Sequence, residues 1–225
     1  MVKIERRNTP KSEAAKLALQ DAKIHDSGYN IKDVNDALVE MFHGKCYICE
    51  NKEITSYQIE LLIPHKGNLE LKYDWNNLFW SCGHCNNTKL GRFEPIIDCT
   101  KENVDDLIAF RKTGYFGTNE KLEFVALSTG EEVENTVKLL EAVYFGITPQ
   151  KCIEAKLIRR KLRKELSAFK EYVREYQEAE GEDKEDLLYQ IKKELKESSS
   201  FTAFKRWLIK DNKECYPELA DLLHA

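Results

Sequence analysis

The 225-residue chain lacks what would place it in a membrane or a secretory route. No apolar stretch approaches the ~20 residues that a spanning helix needs. The opening run Met1-Val-Lys-Ile-Glu-Arg-Arg has no apolar core, which reads as no signal peptide and a cytoplasmic location. There is no internal repeat and no low-complexity tract. A broad basic surface is missing too: the net charge is -4, and residues 151–225, where cations are densest, carry 17 Lys/Arg against 16 Asp/Glu. Contact with nucleic acid must then come from a local patch or from a partner.

What is present is concentrated between Cys46 and Cys85. The chain reads Cys46-Tyr-Ile-Cys49, then 32 residues, then Cys82-Gly-His-Cys85. Each Cys-x-x-Cys lets two thiolates converge on one cation. Two of them complete a tetrahedral four-cysteine zinc site with no open position, so the zinc is structural. The remaining cysteines, Cys99, Cys152 and Cys215, read as free thiols of a reducing compartment.

Hydrophobic spacing and caps predict helices over 10–24, 31–42, 104–111, 131–145, 151–178, 184–197, 201–210 and 217–225. Strands are predicted within 58–63 and 122–127, and 65–74 reads as a loop. Around the cysteines the order is hook, strand, loop, hook, helix, a ββα arrangement pinned by zinc. The fold class is α+β, mostly α. The division is a helical segment 1–44, a zinc-bearing module 45–100 and a mainly helical region 101–225. Trp75, Phe79 and Trp80 read as core, with base stacking as the alternative. His84 reads as a knuckle position or a DNA contact, and His25 and His43 as helix-end residues. Arg159, Arg160, Lys161, Arg163 and Lys164 form a basic cluster, either a solvated face or a phosphate or partner contact.

The combination Cys46-x-x-Cys49, Ile59-Glu60-Leu61-Leu62-Ile63-Pro64, Asn77-Leu78 and Cys82-x-x-Cys85-Asn86-x-x-Lys89 resembles the zinc-bearing branch of the HNH endonucleases. The run from Asp74 to Lys89, with Pro95-Ile-Ile-Asp-Cys-Thr and the helical tail, is similar to the HNH subunit of the Septu anti-phage defence system. That subunit also accompanies some retrons. The resemblance implies a metal-dependent DNA endonuclease working with an SMC-like ATPase. It implies Mg²⁺ held by Glu60 and Asn86, a loop-fixing Asn77, and a phosphate contact from Lys89; His65 reads as a phosphate contact or a loop residue. Region 101–225 would dock the partner.

One position departs from the pattern. Leu61 stands where the family has its general-base histidine, and a leucine cannot accept a proton. Losing a positioned base costs a factor of about 10²–10⁴. An engineered inactive form, a natural loss and a substitute histidine are the alternatives, and the first two fit better. His65 lies roughly 13 Å along an extended strand, too far unless Pro64 turns the chain back. The alternative function is a non-catalytic, zinc-stapled binding subunit. A zinc transcription factor is disfavoured, because no basic recognition helix flanks the hooks.

Overall fold

A computed structural model describes residues 1–52, 54–114 and 120–223. The chain begins with α1 (Pro10–Ile24) and α2 (Lys32–Met41). Thr9 and Ser12 cap α1 reciprocally, each side chain accepting the other's backbone N–H, and Pro10 occupies the first turn. Ala15, Leu19 and Ala22 of α1 and Val34, Ala37 and Leu38 of α2 are buried.

Next comes the zinc-bearing module. Strand β1 (Tyr57–Leu61) pairs antiparallel with β2 (Leu78–Cys82). Between them lie α3 (Leu69–Tyr73) and one 3-10 turn (Trp75–Asn77), and α4 (Gly83–Lys89) follows β2 directly. The predicted ββα order is therefore present. The stretch 65–74 is not all loop, however. Asn68 accepts the N–H groups of Glu70 and Leu71, and this cap starts α3. Trp75, Phe79 and Trp80 are buried, as read for core residues.

The rest is mainly helical. Helix α5 (Val104–Leu107) stops four residues earlier than its spacing predicts. Its continuation is strand β3 (Ile108–Thr113), paired antiparallel with β4 (Lys121–Ala126). The run Ile108-Ala-Phe110 suits either element, and cross-strand packing of Phe110 on Phe124 (ring centroids 5.4 Å apart) favours the strand. Helices α6 (Glu131–Phe145) and α7 (Pro149–Glu178) follow, α7 with Thr148 as its cap. Gly146 joins them with φ +82°, and a Cβ there would sit 2.4 Å from the Cys152 amide nitrogen, so only glycine fits the corner. Helices α8 (Gly181–Glu194), α9 (Thr202–Asp211) and α10 (Pro217–Asp221) close the chain. Gly181–Asp183, expected as a break, is the first turn of α8. The terminal helix ends at Asp221, and residues 224–225 lie outside the described residues.

One hydrophobic core runs from Met1 to Trp207, through both sheets and most helices. A second cluster (Phe169, Val173, Tyr176, Ile191, Leu195, Ile209, Leu219) joins the far half of α7 to α8, α9 and α10. The Tyr144 hydroxyl of α6 donates to the Cys49 carbonyl at 3.0 Å, tying the helical region to the first cysteine hook. No helix among the described residues is long and apolar enough to cross a membrane.

Candidate metal centre and the strand end beside it

The β1–β2 hairpin has two ends. At one, Tyr57 faces Cys82; at the other, Leu61 faces Leu78. The cysteines gather at the first. Cys46 and Cys49 come from the turn after α2, Cys82 ends β2, and Cys85 sits in the first turn of α4. All four are buried, and their sulfurs lie within 4.8 Å of one another. The Cys49–Cys82 separation is 4.0 Å. Four Zn–S bonds of about 2.3 Å in a tetrahedron require roughly 3.8 Å between sulfurs, so the set fits zinc. Burial, with the neighbouring sulfurs of Cys46, Cys49 and Cys82, pushes the Cys85 thiol well above its usual range. A bound cation is what allows buried sulfurs to be thiolates together. Cys99 is buried apart from this cluster, while Cys152 and Cys215 are exposed.

His84, between the second pair of cysteines, faces inward. Its Nδ1 lies 2.5 Å from Glu154 Oε2 and its Nε2 lies 2.9 Å from the Val143 carbonyl. Both ring nitrogens are thus committed to α6 and α7, which fits the knuckle reading and leaves none for DNA. Glu50, just after the first hook, is a second anchor. It accepts from Lys45 at 3.1 Å and from the Ala203 amide at 3.0 Å, and lies 3.4 Å from the Met1 ammonium. Burial opposes its ionisation, yet those cations hold its carboxyl down at about 2.

The other end of the hairpin carries the residues expected for catalysis. Asn77 is buried and grips the chain beyond β1. Its Oδ1 accepts from Ile63 N–H at 2.8 Å, and its Nδ2 donates to the carbonyls of Ile63 (2.8 Å) and Leu71 (3.0 Å). Asn77 thus ties the chain beyond β1 to α3 and to the turn before β2. Leu61 is half-buried and packs on the main core. The Nδ1 of His65 accepts the Gly67 N–H at 3.1 Å, within the turn after Pro64.

Gln58 and Glu60 alternate onto the strand face that meets α4, and Asn86 and Lys89 are one turn apart on that helix. The pairing is Asn86 with Gln58, the amide donating to Gln58 Oε1 at 2.7 Å. Glu60 pairs with Lys89 at 2.6 Å and accepts from the Tyr47 hydroxyl. Burial pushes the Glu60 carboxyl above its usual range, against the pull of Lys89 and Tyr47. The Lys89 ammonium also reaches the carbonyls of Leu61 (3.1 Å) and Leu62 (2.9 Å) and the Glu94 carboxylate (3.2 Å). Lys89 is 1% exposed. This corrects its expected phosphate role: its charge is spent holding the end of β1. Glu60 and Asn86 are not brought together, so the arrangement does not fit a magnesium ion between them. Sequence reasoning missed Tyr47, Gln58 and Glu94 here. The two-residue strand period and the one-turn helix period could have shown which strand residue meets Asn86.

The chain is similar to two proteins called Septu protein PtuB. It is 36% identical over 101 residues to that of Bacillus mycoides (strain KBAB4), covering 37% of this chain and 34% of that protein. It is 31% identical over 117 residues to that of Bacillus thuringiensis, covering 48% of this chain and 46% of that protein. The matched part is thus about a third of the first relative's length and under half of the second's. No family model matches the chain. No solved structure matches it.

Proposed function

We propose that this chain is the HNH-type subunit of a Septu defence complex, with the fold of a DNA endonuclease and its hydrolysis disabled or impaired at Leu61. Two relatives that carry the Septu name support the defence role. The observation that carries the nuclease part is the hairpin itself: a four-cysteine clip at one end, and an Asn77-clamped strand terminus ending in Leu61 at the other. In this reading the scaffold aims position 61 at the scissile phosphate. The imidazole that would take a proton from the attacking water is replaced by an isobutyl group. The reading also assigns the chain an SMC-like ATPase partner, docked by residues 101–225, and a cytoplasmic site of action. Mg²⁺ is the catalytic ion it calls for, but no step is routed through it, because Glu60 and Asn86 are each engaged elsewhere.

The test is Leu61→His assayed on supercoiled plasmid with Mg²⁺, with and without the ATPase. Nicking or linearisation by the variant, at least a hundredfold above the unaltered chain, supports the reading. A second reading, a non-catalytic zinc-stapled binding subunit, is favoured by the Glu60–Lys89–Tyr47 network, which satisfies itself without a metal. Absence of cleavage by Leu61→His in both conditions would favour that second reading.

A further inference from the structure

We propose that the outward stripe of α7, with the groove between α7 and α4, is a track for the phosphate backbone of a nucleic-acid strand. Although the chain is acidic overall, residues 151–164 hold Lys151, Lys156, Arg159, Arg160, Lys161, Arg163 and Lys164 and a single acid, Glu154. That acid is half-buried in the wall of the α7–α4 groove, and its charge is engaged by His84 and Lys151. The next one, Glu165, is paired with the buried Lys205 at 3.1 Å. The outer face of this stretch therefore carries cations with no carboxylate among them.

Several of the cations have structural tasks. Arg159 donates to the Tyr144 carbonyl and Arg163 pairs with Glu120. Lys156, Arg160 and Lys164 do not. All three are exposed, and among the described residues none has a hydrogen-bond or ion-pair partner. They recur every fourth residue, which on a helix sets successive Cα atoms about 6 Å apart along the axis. That is close to the spacing of phosphates along an extended strand. Two aliphatic side chains, Ile153 and Leu157, share the stripe and are 66% and 48% exposed. Sugar and base surfaces can cover them.

The stripe leads into a groove of about 500 Å³, lined by Lys151, Leu157 and Lys161 on one side and Gly83, Asn87 and Gln58 on the other. Gln58 is the residue that holds Asn86. A strand lying along α7 would thus pass the β1–α4 face of the zinc module. Helix α7 lies outside the stretch that carries the HNH motifs, and the spacing of its free cations, rather than the hooks, assigns the track. The inference deepens the nuclease reading and rests on it for the direction of the strand. Backbone binding itself is measured without cleavage.

The experiment is fluorescence anisotropy of the full chain, zinc-loaded and in EDTA-free, magnesium-free buffer, with a labelled 20-nucleotide single strand and a 20-base-pair duplex over a salt series. Lys156→Glu/Arg160→Glu/Lys164→Glu should weaken binding at least tenfold. The corresponding Gln triple should lower the salt slope by about 2–3, at roughly 0.7–0.9 per phosphate contact. Lys192→Glu/Lys196→Glu, at the end of α8 and just beyond it, should leave both unchanged. The proposal is overturned if the unaltered chain binds neither probe, or if the triple variants match it in affinity and slope. It is equally overturned if they lose only the affinity for the ATPase subunit, which would mark an acidic protein surface as the occupant. Intact binding along α7 with no cleavage by Leu61→His would strike the nuclease reading and leave the track. Cleavage that is indifferent to the triple change would strike the track and leave the nuclease.

Discussion

The two ends of one β-hairpin differ in what they need. At the Tyr57–Cys82 end four buried sulfurs converge within 4.8 Å of one another, so the geometry calls for a cation. At the Leu61–Leu78 end the polar groups are paired among themselves: Glu60 with Lys89 and Tyr47, and Asn77 with the Ile63 backbone. One end is incomplete without a ligand, and the other is stable without one. Stability resides in the sulfur clip and the buried pairs, whereas in the proposed nuclease reading chemistry turns on position 61, which belongs to neither.

The first way to break the comparison is to remove the metal. Chelation, or Cys49→Ala, should unfold the zinc-bearing module. Structural zinc is worth about 10–16 kcal/mol in small zinc peptides, as much as an ordinary domain's whole stability. Circular dichroism with metal analysis checks it, and a native spectrum from zinc-free chain would contradict it. Glu50→Gln comes next. It leaves Lys45 buried with no counter-charge, a loss of about 3 kcal/mol in chemical denaturation. Because the folded carboxyl sits at about 2, below its unfolded value, Glu50 stabilises the fold fully above the ordinary carboxylate range. That contribution fades as the pH falls from about 4.3 toward 2, so the two chains' stabilities should converge there.

Smaller effects probe the other end. Asn77→Ala removes three buried hydrogen bonds to the Ile63 and Leu71 backbone and should cost about 2–3 kcal/mol. Tyr47→Phe deletes one hydroxyl from Glu60, with an expected loss of about 1 kcal/mol. It should also raise the Glu60 carboxyl further, which carboxylate titration by NMR can follow. If Tyr47→Phe cost more than Asn77→Ala, the strand end would depend on the carboxylate network rather than on the backbone clamp.

The clip was legible from spacing alone, because Cys-x-x-Cys encodes the convergence of two sulfurs whatever surrounds it. The bounds of α6 were equally local, set by periodicity, and those of α1 and the start of α7 at Thr148-Pro149 by periodicity with a capping hydroxyl and a first-turn proline. Strand β3 was not legible, since Ile108-Ala-Phe110 becomes a strand only when Phe124 arrives opposite. The Lys89 pairing was hidden for a related reason. A lysine after a zinc knuckle reads as a solvent cation until the fold buries it against a carboxylate 29 positions earlier. The network at Glu60 depends on strand and helix register together, and neither is visible in a motif.

The most direct measurement is plasmid cleavage by the unaltered chain and by Leu61→His, side by side, zinc-loaded, with Mg²⁺ and the proposed ATPase partner. The account predicts little or no cleavage by the former and clear nicking or linearisation by the latter, with similar melting temperatures. Robust cleavage by the unaltered chain, unimproved by the histidine, would contradict the claim that position 61 is the missing part.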